Sequence, residues 1–145
     1  MDNALKRARI NFFTDTWSTK AGSYWMRIAM QDSPEEKERL AKEFVDVVAK
    51  EIEPLLKDAA PFFGGSAKMT LAEALVAPMI LRVYAFSRAG MLPKSIVDGF
   101  SGLPNFSKWA AEVVKQESVT YIWDEERMVK QAKLKIASMK SQAKA

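Results

Sequence analysis

Apolar residues recur at intervals of three and four along most of the chain, which is the spacing of one face of an α-helix. The alternation at every second residue that a half-buried strand would show is absent. Most of the 6 glycines fall at breaks between the periodic segments, as at Gly64-Gly65 and Gly90. The pattern therefore predicts an all-α fold of five to seven helices with no β-sheet.

Two helices are predicted in the N-terminal part of the chain. The first covers about residues 4–30, with Gly22 loosening its middle. The second begins at Ser33-Pro34, because Ser33 can cap a helix, Pro34 suits the first helical position and Glu36 completes a capping box. Pro54 is expected to bend or shorten the end of this second helix.

A central helix is predicted over residues 70–86. Thr70 and, three residues later, Glu73 form a second capping box at its start. The segment LAEALVAPMILRVYAF is apolar on nearly all sides, which predicts a helix buried in the middle of a helical bundle. Pro78 lies inside this segment and is expected to kink it.

Three further helices are predicted after the central one. Leu92-Pro93 and Leu103-Pro104 each open a short helix, and the acidic run Asp124–Glu126 is favourable at the start of the last helix. An apolar stripe follows on that last helix, at Val129, Ala132, Ile136, Met139 and Ala143. This stripe can either dock on the body or pair with another chain.

The composition narrows the chemistry. The 145 residues favour a single domain over residues 1–145 and contain no cysteine and no histidine. Zinc sites of the Cys/His kind, disulfide frameworks, thiol nucleophiles and Ser-His-Asp triads are therefore excluded. No metal site and no catalytic residue is predicted.

The positive charge is concentrated at the C-terminus. Of the 22 basic residues, six lie from Arg127 onward, where there is no acidic residue, so the first 126 residues hold 16 basic against 18 acidic side chains. Residues 125–145 are thus predicted to form a basic C-terminal helix or tail. Because the body offers no basic face, nucleic-acid binding is not expected. A basic end complements the negative end of a terminal helix.

No apolar run approaches the roughly 20 residues that span a bilayer, so membrane insertion is not expected. The start of the chain lacks the apolar stretch of a secretory signal. A cytoplasmic location is the expectation that follows.

Several short motifs occur in an order that resembles a known family. They are Phe62-Phe63-Gly64-Gly65, Met69–Glu73, Ala77-Pro78 and Leu103–Trp109. Together they resemble the all-helical C-terminal domain of cytosolic glutathione transferases, and in particular omega-like and fungal members. The resemblance covers roughly residues 5–125. It implies a helical bundle around a buried central helix.

Two departures from the family pattern qualify what it implies. The capping box carries Glu73 where the family more often has Asp, and the apolar pair that would join Met69 to Ala74 is weak. The family also places a thioredoxin-like domain before the helical one, and that domain supplies the glutathione site and the activating residue. This sequence has no βαβ pattern. Glutathione is therefore expected only where a thioredoxin-like domain is present, and the chain is either a domain of a longer enzyme or a stand-alone module.

The resemblance also indicates candidate site residues. Arg82 lies where omega-like members have an arginine that lines the substrate pocket, so it could bind the acidic end of a substrate. The alternative is a buried arginine paired with a carboxylate of a neighbouring helix. An apolar pocket could be walled by Phe13, Trp17, Tyr121 and Trp123, although aromatic residues at helical spacing more often belong to the core. Trp109 is expected in the core.

Two main functions remain open. The first is the electrophile-binding domain of a glutathione transferase, inactive alone, which partners a thioredoxin-like domain and binds a small apolar or acidic electrophile. The second is a protein-interaction module, because similar helical domains serve in translation elongation factor gamma subunits and in multi-synthetase complexes. A protein that only sequesters a ligand is a third, and a homodimer stays open in each case. In the first case, the faces of the first and central helices that meet the thioredoxin-like domain are expected to be apolar and to form a cleft with Arg82 at its edge. In the second, side chains are expected to fill that cleft.

Overall fold

The computed structural model describes residues 3–144, which are all-α: they contain eight α-helices and no β-strand. The helices are α1 (Asn3–Thr16), α2 (Tyr24–Ala29), α3 (Pro34–Val47), α4 (Leu71–Arg88), α5 (Ser95–Ser101), α6 (Pro104–Val114), α7 (Glu117–Thr120) and α8 (Glu125–Ala143). The all-α prediction is confirmed. The helices outnumber the predicted five to seven because the first predicted helix is divided and because α7 is an additional short turn.

The division of the first helix lies at Gly22. Helix α1 continues into a π-helical turn over Trp17–Ala21, where the N–H of Gly22 donates to the carbonyl of Trp17 at 2.8 Å. Glycine has a low helix propensity, and the chain restarts as α2 two residues later. A second π-helical turn, Val48–Ile52, follows α3 and leads into a 3₁₀ turn that contains Pro54. The α-helical part of this segment thus ends at Val47, and Pro54 lies within the 3₁₀ turn Glu53–Leu56.

The core is built around aromatic rings from α1, α3, α5 and α6. Phe13 is 0% exposed, and its ring lies 5.5 Å from that of Trp109 in an edge-to-face arrangement. Trp17 stacks on Phe106 with ring centroids 6.3 Å apart. Phe100 contacts Phe106 at 4.9 Å. Such ring pairs contribute about 0.5–1.5 kcal/mol each beyond the area they bury.

Helix α4 is central to the fold, but it is not buried on all sides as predicted. Leu71 is 56% exposed and Leu75 is 49% exposed, and Pro78 continues the same exposed face one turn later. The opposite face, which includes Val76 and Ile80, is buried. Hydropathy reports only that a face is apolar and carries no information about whether a neighbour covers it. Because Pro78 faces outward, the carbonyl that it leaves without an N–H partner is on the side open to water.

The capping box at the start of α4 is present, and Glu73 does more than cap. Its Oε2 accepts hydrogen bonds from the N–H and Oγ1–H of Thr70, at 2.8 and 2.6 Å, and Thr70 Oγ1 accepts from the N–H of Ala72. Its Oε1 accepts from the N–H of Phe63 at 2.7 Å and from Nε1 of Trp109 at 2.8 Å. Glu73 is fully buried, so these four donors replace the water that a carboxylate would otherwise need.

Two glycines bring Phe63 within reach of Glu73. Gly64 and Gly65 have φ values of +67° and +79°, a left-handed conformation that favours glycine. They turn the chain back before α4, and Arg9 of α1 lies over the Phe63 ring at 5.3 Å. The Phe-Phe-Gly-Gly motif therefore forms the loop that packs against the N-terminus of the central helix and donates a hydrogen bond to Glu73.

The start of helix α6 is capped by a side chain from a distant part of the same chain. Its first residues follow Leu103, whose side chain cannot accept a hydrogen bond. The two carboxylate oxygens of Glu53 accept from the N–H groups of Asn105 and Phe106, at 2.8 and 2.7 Å. A carboxylate at this position satisfies free donors and is favourable at the positive end of the helix dipole.

Helix α8 packs on the body, as the first of its two predicted alternatives required. Ala132 and Ile136 of its apolar stripe are buried. Two ion pairs flank the stripe: Arg88 and Glu125 at 2.8 Å near its start, and Lys140 and Asp32 at 2.8 Å near its end. The hydrogen bond from Arg88 lowers the pKa of Glu125, and that from Lys140 lowers the pKa of Asp32.

Candidate functional site

An open cavity of about 520 Å³ lies between α4, α7 and α8. Its α4 wall consists of Ala74, Ala77, Pro78 and Leu81, and Met128 faces it from α8. This volume and this largely apolar surface are those of a site for a small organic molecule. Part of the exposed face of α4 therefore forms a wall of the cavity, through Ala74 and Pro78.

Arg82 is one of the residues that line this cavity. No residue of α1 lines it, so the cavity is not the expected cleft between the first and central helices. The residue is half-buried, and its guanidinium forms no hydrogen bond and no ion pair with any residue in the described range 3–144. The alternative prediction, a buried arginine paired with a carboxylate of a neighbouring helix, is therefore not what the structure contains. An arginine that is partly withdrawn from water retains five N–H donors, and an anionic ligand can satisfy them.

Two further charged residues line the cavity from the start of α8, and sequence analysis missed both as site residues. Arg127 is exposed, and its guanidinium has no ion pair within the described part of the chain. Asp124 caps α8, since its Oδ1 accepts from the N–H of Arg127 at 3.0 Å. The acidic start of the last helix was visible in the sequence. That Asp124 lines the same cavity as Arg82 depends on how α8 packs against α4, and no local pattern encodes that.

The four predicted aromatic site residues do not come together. Trp123 lines the cavity. Tyr121 is 81% exposed and is not part of its lining, whereas Phe13 and Trp17 are core residues at 0% and 1% exposure. Trp109 is in the core as expected. The structure therefore keeps Arg82 and Trp123 as cavity residues and places Phe13 and Trp17 away from it.

The cavity lining includes one hydroxyl group and one carboxylate. The Ser118 hydroxyl donates to the Met69 sulfur at 4.0 Å, and the Asp124 carboxylate accepts from the N–H of Arg127 at 3.0 Å. Within residues 3–144 there is no group of three metal-ligating side chains. No helix of that range is long and apolar enough to cross a membrane.

The chain was compared with models of known protein families, with curated proteins and with solved structures, and no significant match was found in any of the three. The resemblance to the helical domain of glutathione transferases consequently rests on the ordered sequence motifs alone.

Proposed function

We propose that this protein binds a small organic molecule with an apolar body and an acidic group, in the manner of the electrophile-binding domain of a glutathione transferase. The apolar body lies in the cavity between α4, α7 and α8, and Arg82 binds the acidic group. A thioredoxin-like domain would supply glutathione and the thiol-activating residue. The same resemblance suggests a cytoplasmic location.

The observation that carries this proposal is the unpaired guanidinium of Arg82 at the edge of an open, mainly apolar cavity. A cavity filled by side chains would have favoured a protein-interaction module instead. An arginine retained only for structure would be expected to pair with a carboxylate, because a partly buried charge without a partner is destabilising. An open volume with an unpaired cation at its edge fits ligand binding better than either alternative.

A titration with two matched fluorescent ligands tests the proposal. The ligand 1-anilinonaphthalene-8-sulfonate carries an anionic group, and N-phenyl-1-naphthylamine has the same rings without it. We expect Arg82→Gln to weaken binding of the sulfonate about tenfold, equivalent to about 1.4 kcal/mol, and to leave the neutral amine nearly unchanged. Arg7→Gln removes an exposed arginine of α1 that does not line the cavity, and serves as the control.

Two results would contradict this assignment. If Arg82→Gln weakened both ligands equally, it would have damaged the cavity rather than removed an anion contact. If the sulfonate bound no better than the neutral amine to the wild type, and Arg82→Gln had no effect, the acidic group would have no partner at Arg82.

The second candidate function, a protein-interaction module, is favoured by one observation. Large apolar side chains are exposed on two neighbouring helices: Leu5 and Phe12 on α1, and Leu71 and Leu75 on α4. Apolar exposure of this kind often marks an interaction surface. We expect the double variant Leu71→Gln/Leu75→Gln to bind the sulfonate as the wild type does. The interaction module would be favoured if the wild type bound neither ligand and if the double variant sedimented differently from the wild type.

A further inference from the structure

The rim of the cavity carries charge from two helices. Arg82 belongs to α4, while Arg127 and Asp124 belong to the start of α8. We propose that Arg127 is a second anion contact and that Asp124 sets the charge preference of the site, so that it selects monoanions with an apolar body over dianions. This inference rests on the proposed function and specifies the ligand class of the same cavity.

The first step of the argument concerns the two arginines. Both line one cavity from different helices, and neither guanidinium has an ion pair within residues 3–144. An acidic group held at the rim can accept charge-assisted hydrogen bonds from both sides, and a guanidinium presents its donors in a planar fork suited to such oxygens. Arg127 is exposed, whereas Arg82 is half-buried.

The second step concerns Asp124. One of its oxygens accepts from the N–H of Arg127, and the exposed side chain lines the cavity. The rim thus holds two positive groups and one negative group. Asp124 cancels much of the attraction that the second arginine adds, so the second negative charge of a dianion gains little from the site while the cost of removing it from water remains. Glu125, the next residue, is already paired with Arg88 at 2.8 Å.

Asp124→Asn is a clean test of this charge effect. Asparagine caps a helix about as well as aspartate, so the substitution removes the charge and retains the start of α8. Glu126→Gln is the matched control, because it removes an equal charge two residues away on a side chain that does not line the cavity. If the preference comes from the net charge of the protein, both variants shift the ratio of the two affinities. If it comes from a charge at the cavity, only Asp124→Asn shifts that ratio.

The experiment is calorimetric titration of the full chain with two naphthalene derivatives at about pH 8, where a phosphate monoester is a dianion. We use 1-naphthalenesulfonate as the monoanion and 1-naphthyl phosphate as the dianion. We expect the wild type to prefer the sulfonate. Asp124→Asn should shift the affinity ratio at least about threefold toward the phosphate, Arg127→Gln should weaken both ligands at least about fivefold, and Glu126→Gln should leave the ratio unchanged.

The possible failures are distinguishable. If the wild type binds neither naphthalene derivative nor the anilinonaphthalene sulfonate, the proposed function itself is wrong. If Arg82→Gln weakens the acids while Arg127→Gln and Asp124→Asn change nothing, only the present inference is overturned. An equal shift of the ratio in Asp124→Asn and Glu126→Gln also overturns it, because the preference would then come from net charge. Circular dichroism of each variant verifies that α8 remains folded.

Discussion

Glu73 and Trp109, 36 positions apart in the chain, are joined by a 2.8 Å hydrogen bond from the indole Nε1–H to Oε1 of the carboxylate. Both side chains are buried. The residue that caps α4 is therefore also the connection from α4 to α6 and to the loop before α4. A substitution at Glu73 is therefore expected to disturb both the start of α4 and its contact with α6.

We expect Glu73→Gln to destabilise the protein by about 3 kcal/mol or more. Each carboxylate oxygen accepts two hydrogen bonds, so either orientation of the glutamine amide turns an NH₂ group toward two donors. Buried hydrogen bonds to a charged group contribute about 1.5–3 kcal/mol each. Urea denaturation measures the loss, and Glu117→Gln, at an exposed glutamate, should stay within about 0.5 kcal/mol of the wild type. A near-wild-type midpoint for Glu73→Gln would refute the central role of this carboxylate.

We expect Thr70→Ala to destabilise the protein by about 1–2 kcal/mol. The hydroxyl accepts from the N–H of Ala72 at 3.1 Å and donates to Glu73 at 2.6 Å, and alanine can do neither. Thr70→Ser keeps both hydrogen bonds and serves as the control. Denaturation curves in which serine and alanine are equally destabilising would show that the methyl group, not the hydroxyl, is the important part of Thr70.

We expect Glu53→Ala to lower stability by about 1–3 kcal/mol, because it exposes two N–H groups at the start of α6 without an acceptor. Glu53→Gln keeps one oxygen acceptor and should have a smaller effect. Hydrogen exchange measured by NMR should accelerate at Asn105 and Phe106, whose amides donate to Glu53. Unchanged exchange at those two amides, with a general loss of stability, would mean that Glu53 acts elsewhere.

The ion pairs that flank α8 predict a pH dependence. Hydrogen bonding lowers the folded-state pKa of Asp32 and Glu125 below their ordinary values of 3.8 and 4.5. Their contribution to stability is therefore complete above those ordinary values and is lost as the pH falls through the lowered folded-state values. Both pairs are solvent-exposed, so we expect a small effect that added salt weakens further.

Thermal unfolding at several pH values checks this expectation. The Tm of the wild type should fall toward that of the double variant Asp32→Asn/Glu125→Gln as the pH is lowered from about 6 to about 3. A constant difference in Tm across that range would mean that the two pairs do not contribute through their charges.

We expect the 145-residue chain not to conjugate glutathione to electrophiles on its own. Thiol activation requires a group that stabilises the thiolate beside the bound sulfur, and the family resemblance places that group in a thioredoxin-like domain. Binding the electrophile without a positioned thiol provides no proximity effect. Turnover of glutathione with a generic aromatic electrophile should match the uncatalysed rate. A rate well above it would show that the helical domain carries its own activating group.

Much of the helical architecture was accessible from local signals. Ser33 accepts from the N–H of Glu36 at 3.4 Å at the predicted start of α3, and Thr70 and Asp124 cap the predicted starts of α4 and α8. These three caps use side chains within three residues of the helix start, so sequence spacing is sufficient to find them. Arg82, by contrast, was indicated by the family resemblance and not by a local signal; it lines the cavity.

Contacts between distant segments were not accessible in the same way. Glu53 caps α6 from more than 50 residues away. Phe13 and Trp17, which were expected in a pocket, lie in the core, and one face of α4 is exposed. Arg127 and Asp124 reached the cavity only because α8 packs beside α4. Periodicity and caps are properties of neighbouring residues along the chain, and the sequence alone therefore determined where helices form. Which faces meet, which charges remain unpaired and where a cavity stays open depend on packing between helices, and only the tertiary structure decided them.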